Sequence, residues 1–161
     1  MLIKTIRDED FCNFKSSSMF IGLGTCDWKC CKEANIPIEV CQNSELACCN
    51  NIDISADEIF RRYIYNSMTS AVVIGGLEPI TQINDIYDLI QCFRDNKCND
   101  PFVIYTGYNI CEISDIVNHF RKHFTNIILK TGRYIPNQQP HYDEILGVNL
   151  ASDNQKGVQI C

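Results

Sequence analysis

At 161 residues and 45% hydrophobic content, the chain is long enough for one well-buried core and short for two, so a single domain over residues 1–161 is expected. A formal charge of −6 with scattered Lys and Arg argues against a nucleic-acid surface, and no apolar run approaches the roughly 18 residues of a membrane span. The start, Met1-Leu2-Ile3-Lys4 and then Arg7-Asp8-Glu9-Asp10, lacks a signal-peptide core, so a cytoplasmic location is expected.

In chain order, Leu2 to Ile6 reads as an edge strand, and the apolar run Met19 to Thr25 as a buried strand that delivers a loop. That loop spans Cys26 to Asp53, longer than the roughly 12–15 residues usual for a connection without a function. Ser55-Ala56-Asp57-Glu58 is a capping box, and Ile59, Phe60, Tyr63 and Ile64 share one face of the helix it opens. Ala71 to Ile74 then forms a strand running into Gly75-Gly76. The alternation repeats twice. A helix marked by Ile83, Ile86, Tyr87, Ile90 and Phe93 leads to the strand Phe102–Tyr105. A helix marked by Ile113, Ile116, Val117, Phe120 and Phe124 leads to Ile127–Lys130. In the tail, Ile145 to Leu150 is expected to pair with Val158–Ile160 as a hairpin. Strands separated by single helices predict an α/β domain with a mainly parallel sheet, its binding groups at the C-terminal strand ends.

Eleven cysteines, an odd total without a secretion signal, suit metal or cluster chemistry better than a disulfide framework. Seven of them fall between Cys12 and Cys49, whereas Cys92, Cys98, Cys111 and Cys161 are dispersed and read as inert small residues. No two cysteines have the C-x2-C spacing of a zinc knuckle or a thioredoxin-like dithiol. Cys26, Cys30 and Cys41, in a loop led by glycines, instead offer three thiolates to an iron-sulfur cubane that normally takes four, leaving one iron open. Gly75-Gly76-Leu77-Glu78-Pro79 follows a buried strand, where glycines admit a ligand to the backbone and Glu78 can receive a cationic amine. Lys130, at another strand end, is a candidate for a ligand carboxylate. Trp28 is placed to pack over the cysteine loop. His119 and His123 lack an HExxH glutamate and read as a solvated helix edge; Gly22-Leu23-Gly24 lacks the third glycine of a dinucleotide fingerprint.

Together these residues resemble the radical S-adenosylmethionine superfamily and, within it, the small activating proteins of anaerobic ribonucleotide reductases. The counterparts of the family's motifs look like Cys26, Cys30 and Cys41 for the cluster, then Gly75, Gly76, Glu78 and Pro79. Tyr105-Thr106-Gly107-Tyr108 and Ser152-Asp153-Asn154-Gln155 follow, with Tyr105, Thr106, Lys130 and Asn154 at the cofactor. Two departures stand out. The family's third cysteine lies three positions after the second, where this chain has Glu33; Cys41-Gln42-Asn43 looks like the displaced stretch, with Cys31 to Val40 inserted. Cys31 is the alternative third ligand, and Cys48 and Cys49 are outer candidates. Val40 replaces the usual aromatic residue, and Leu77 interrupts the Gly-Gly-Glu-Pro motif.

The resemblance implies a truncated, open (β/α) partial barrel that binds a [4Fe-4S] cluster and S-adenosylmethionine. It implies reductive cleavage of that cofactor to a 5'-deoxyadenosyl radical, which abstracts hydrogen from a glycine of a partner glycyl-radical enzyme, the large subunit of an anaerobic ribonucleotide reductase. An electron donor such as flavodoxin or ferredoxin would serve it, and the partner would cover the face that so few strand-helix rounds leave open. The alternatives are a radical enzyme of the same kind acting on another peptide or protein, and a non-enzymatic iron-sulfur or zinc binding module.

Overall fold

The computed structural model describes Met1–Cys161. It is an α/β domain built on one sheet of seven strands and a separate two-stranded ribbon. Strands β1 (Leu2–Asp10) and β2 (Ser18–Leu23) form an antiparallel hairpin. The segment after β2 holds helix α1 (Lys29–Ala34), a 3-10 turn (Ile38–Val40), helix α2 (Ser44–Cys48) and the short β3 (Ile52–Asp53). Helix α3 (Ala56–Ile64), β4 (Val72–Gly76), α4 (Ile83–Asp95), β5 (Phe102–Tyr105), α5 (Ser114–His123) and β6 (Ile127–Thr131) follow in alternation. The chain closes with β7 (His141–Asp143), β8 (Val148–Leu150) and β9 (Lys156–Gln159).

The sheet order is β3-β1-β2-β4-β5-β6-β9. Its centre, β2-β4-β5-β6, is parallel, and antiparallel strands flank it on both sides. Each parallel strand lies beside its predecessor, so the winding runs in one direction without a switch point. The alternation of the strands then assigns two faces. Ile21, Ile74, Ile104 and Leu129 point to the face covered by helices, where they pack with Ile59 and Tyr63 of α3, Leu89 and Phe93 of α4, and Val117 and Phe120 of α5. Val73, Val103 and Ile128 point the other way, to a smaller layer made by Phe14, Leu146 and Leu150. One face is sealed by three helices and the other has only a partial cover, which leaves room for a cavity at the strand ends.

The helix and strand pattern expected from residue 55 to residue 131 is present, including Ser55 as the N-cap that accepts from the Glu58 N–H at 3.2 Å. Three expectations need correction. The first strand is not at the edge: it runs to Asp10, and β3 pairs outside it. The cysteine loop is not structureless, since residues 26–53 contain two short helices. Nor does the tail form the expected hairpin. β8 pairs with β7, while β9 adds antiparallel to the free edge of β6, where Val158 lies opposite Leu129. Filling the open β6 edge satisfies a row of backbone groups that a local hairpin would leave bare.

Phe93 is the hub of the helical face. It is fully buried and meets the rings of Phe60, Tyr63 and Phe102 at centroid distances of 5.0 Å each. Truncation to alanine removes these contacts and leaves a cavity that rigid neighbours cannot fill. Phe93→Ala is expected to lose about 3–5 kcal/mol of stability, read as a lower urea midpoint in circular dichroism.

Candidate functional site

The partly covered face ends in a cavity of about 430 Å³ at the C-terminal ends of the parallel strands. Cys26, Cys30, Cys31 and Cys41 line it from the loop after β2. Gly75, Gly76, Leu77 and Glu78 line it from the end of β4, Tyr105, Thr106 and Gly107 from the end of β5, and Lys130 from β6. The topology thus brings to one place motifs that are more than a hundred residues apart in sequence.

Glu78 forms the floor. Although the residue is only 7% exposed, its carboxylate accepts from Thr106 Oγ1 at 2.6 Å, from the Gly107 N–H at 2.9 Å and from the Ile80 N–H at 3.1 Å. Burial still holds its carboxyl above the ordinary glutamate value, because these three bonds only partly offset the loss of water. A carboxylate offers about four acceptor sites, so Glu78 keeps capacity for one more donor. Lys130 is also buried; desolvation lowers its ammonium to about 8, and its Nζ donates to the Gly132 carbonyl at 3.2 Å. The Tyr105 ring lies 6.0 Å from Lys130 Nζ, centroid to nitrogen, and its hydroxyl donates to the Asn13 carbonyl at 2.5 Å. Pro79 is buried at the start of a 3-10 turn behind Glu78 and does not line the cavity. Asn154 lies outside it, on the rim of a neighbouring cleft, where its amide donates to the Arg133 carbonyl at 2.9 Å. Gln155, its neighbour, does line the main cavity.

The thiols differ in how the backbone meets them. The Trp28 N–H donates to Cys26 Sγ at 3.3 Å and the Asn43 N–H to Cys41 Sγ at 3.5 Å, the same two-residue step in both cases. The backbone N–H of Tyr134 faces Cys30. Such N–H groups favour a thiolate and tune a metal bound to it. Cys31 receives none; its thiol faces that of Cys41. Burial pushes the Cys26 thiol up to about 11 and also raises Cys30 and Cys31. Cys48 and Cys49 are exposed and away from the cavity. Cys30 rests directly on Gly107, where an added Cβ would stand 2.7 Å from its Sγ.

No three His, Cys, Asp or Glu side chains converge closely enough to hold a single metal ion. A cubane is a different demand, since each thiolate binds its own iron and the sulfurs stand apart around the cluster. Three amide-supported thiols around a cavity of this size fit that demand. His119 and His123 lie far along the chain from these residues, on α5, where His119 stacks on Tyr87 with centroids 4.1 Å apart. No family model matches the chain, and no curated protein matches it at a significant level.

A charged clamp, not anticipated from the sequence, holds the cysteine loop over the strand ends. Arg133 bonds Glu112 at 2.6 Å and Glu33 at 2.5 Å, while Lys29 bonds Glu112 at 2.7 Å. Asp27 accepts from the Tyr108 hydroxyl at 2.5 Å, and Lys29 Nζ lies 4.6 Å from the Tyr108 ring centroid. The only local signal was the i,i+4 pair Lys29 and Glu33. The other partners lie between 21 and 100 residues apart in the chain.

The hydrogen bonds from Arg133 and Lys29 hold the Glu112 carboxyl well below the usual range. A lowered folded value means that this stabilisation is complete above the ordinary glutamate value of 4.5 and fades as pH falls below it. Glu112→Gln is therefore expected to lose roughly 1 kcal/mol at pH 7, with the gap to the parent closing under acid. Urea unfolding at pH 7 and at pH 3 checks the sign.

Proposed function

We propose that this chain is a radical S-adenosylmethionine enzyme, an activase that generates a glycyl radical on the large subunit of an anaerobic ribonucleotide reductase. The observation that carries the reading is the trio Cys26, Cys30 and Cys41, each met by a backbone N–H, around a cavity that also holds the Gly75-Gly76 strand end and the buried Glu78. The singly wound sheet with helices on one face suits a truncated, open (β/α) barrel of radical S-adenosylmethionine type.

In this reading the three thiolates hold a [4Fe-4S] cluster by three of its irons. Bound, the cluster and S-adenosylmethionine supply one-electron reductive cleavage and hydrogen abstraction, with the electron coming from a donor such as flavodoxin or ferredoxin. Glu78 receives the cofactor's amine through its remaining acceptor site. Lys130 meets the carboxylate, and Gly75 and Gly76 let the backbone approach closely. The walls of the cavity exclude water from the reacting centre. The partner's glycine loop enters where the second face lacks a full cover, and no small-molecule substrate is needed.

Anaerobic loading with iron and sulfide is expected to give about four irons per chain, and dithionite with S-adenosylmethionine should then release 5'-deoxyadenosine. Alanine at Cys26, Cys30 or Cys41 should lower the iron loading and abolish the release of 5'-deoxyadenosine. With a glycyl-radical reductase added, a glycine-centred signal should appear in electron paramagnetic resonance. A chain that stays colourless and iron-free after generous loading sinks the reading. A loaded cluster with no product points instead to an electron-transfer or binding module.

Gly107 gives a steric test of the same arrangement. The added methyl of Gly107→Ala would collide with Cys30 Sγ at 2.7 Å. The variant is expected to keep its far-ultraviolet circular dichroism and lose iron loading. Unchanged loading would place Cys30 outside the ligand set.

A further inference from the structure

Five cysteines line the cavity: the exposed Cys12 from the loop after β1, and four from the segment after β2, one more than the proposed ligand set uses. Cys31 is the deeply buried one, with 4% of its surface exposed, and it is the cavity-lining loop thiol that no backbone N–H supports. It is carried on α1 next to Cys30, and its thiol faces Cys41. A buried cysteine packed among apolar groups would need no explanation. Cys31 instead borders open space between two proposed iron ligands.

We propose that Cys31 is a fourth, displaceable ligand, its thiolate closing the vacant iron of the cluster until the amine and carboxylate of S-adenosylmethionine take its place. This rests on the cluster reading given above and adds a resting state to it. The missing amide donor is what makes Cys31 the weakest of the four: backbone N–H groups donate to Cys26 and Cys41 and one faces Cys30, whereas none meets Cys31. Displacement is a ligand substitution with no change of oxidation state. One Fe–S bond breaks and Fe–N and Fe–O bonds form. The incoming ammonium must lose a proton to bind iron, and the released Cys31 thiolate takes it. A capped cluster would be protected from loss of its fourth iron while the cofactor is absent.

The test compares cluster-loaded parent chain with Cys31→Ala, and with the near-isosteric Cys31→Ser as a guard against a folding defect. Both variants should load the same iron. Without S-adenosylmethionine, mild ferricyanide oxidation should convert far more of the cluster to the three-iron form in the variants, read by electron paramagnetic resonance. Removing the internal competitor should also tighten S-adenosylmethionine binding, by about tenfold if one site in ten is open in the parent. Equal oxidation and equal affinity in parent and variants would overturn the proposal. So would loss of the cluster in both Cys31 variants together with retention in Cys41→Ala, which would make Cys31 the third ligand. Failure of the parent itself to load iron is a distinct result, and it sinks the cluster reading before this one.

Discussion

Burying a carboxylate costs several kcal/mol unless hydrogen bonds compensate it, and Glu78 offsets part of that cost by bonding to two strand ends at once. Its own 3-10 turn after β4 donates through Ile80, and the turn after β5 donates through Thr106 and Gly107. The carboxylate therefore acts as a brace between neighbouring turns that have no ladder of their own beyond the strands. Gly107, fixed by that brace, supports Cys30; Glu78's own N–H donates to the Thr25 carbonyl at 2.9 Å, just before Cys26. Strand ends and cysteine loop are thus referenced to one buried group.

The loop needs this because it has little apolar anchorage. Apart from Cys31, residues 25–53 contribute no buried side chain, and beside the contact of Leu46 with Gly22 and Gly76 their ties are polar. Asn43 Nδ2 donates to the Gly76 carbonyl at 2.6 Å, which ties the Cys41 segment to β4. The Arg133, Glu112, Glu33 and Lys29 clamp ties α1 to the turn before α5 and to the segment after β6. Two tethers on separate strand ends restrict the loop more than the weak individual ion pairs suggest, since each limits the motion the other allows.

The sequence made the repeating part of the fold legible because helices and strands there carry their own signals: the Ser55 cap, the 3.6-residue stripes of α4 and α5, and the short apolar strands. What it hid was decided by partners distant in the chain. Val158 to Ile160 has the pattern of a strand wherever it pairs, and only the free edge of β6 selects its place. Likewise β1 is apolar enough for an edge or an interior position until β3 is seen to lie beside it. The candidate site divides the same way. Its cysteines and the Gly75 to Glu78 turn stood out as residue types at strand ends, whereas Glu112 and Arg133 are ordinary surface types whose role depends on meeting across the fold. Asn154 and Gln155 are adjacent in sequence, and only their side-chain directions separate rim from cavity.

The ten residues from Cys31 to Val40, which break the spacing of the cysteines in sequence, are folded back on themselves in space. Asn35 ends α1 in the left-handed region at φ 50°, a conformation asparagine tolerates, and its N–H returns to the helix carbonyls. The Ile36 N–H then bonds the Cys31 carbonyl at 3.1 Å, and after Pro37 a 3-10 turn ends with the Cys41 N–H on the Ile38 carbonyl at 2.9 Å. The excursion closes on itself by local backbone bonds, so Cys41 comes back to face the helix turn that carries Cys30 and Cys31. A spacing that looks incompatible with a compact ligand set along the chain is therefore compatible with one in three dimensions. The same closure brings the thiols of Cys31 and Cys41 face to face across the turn.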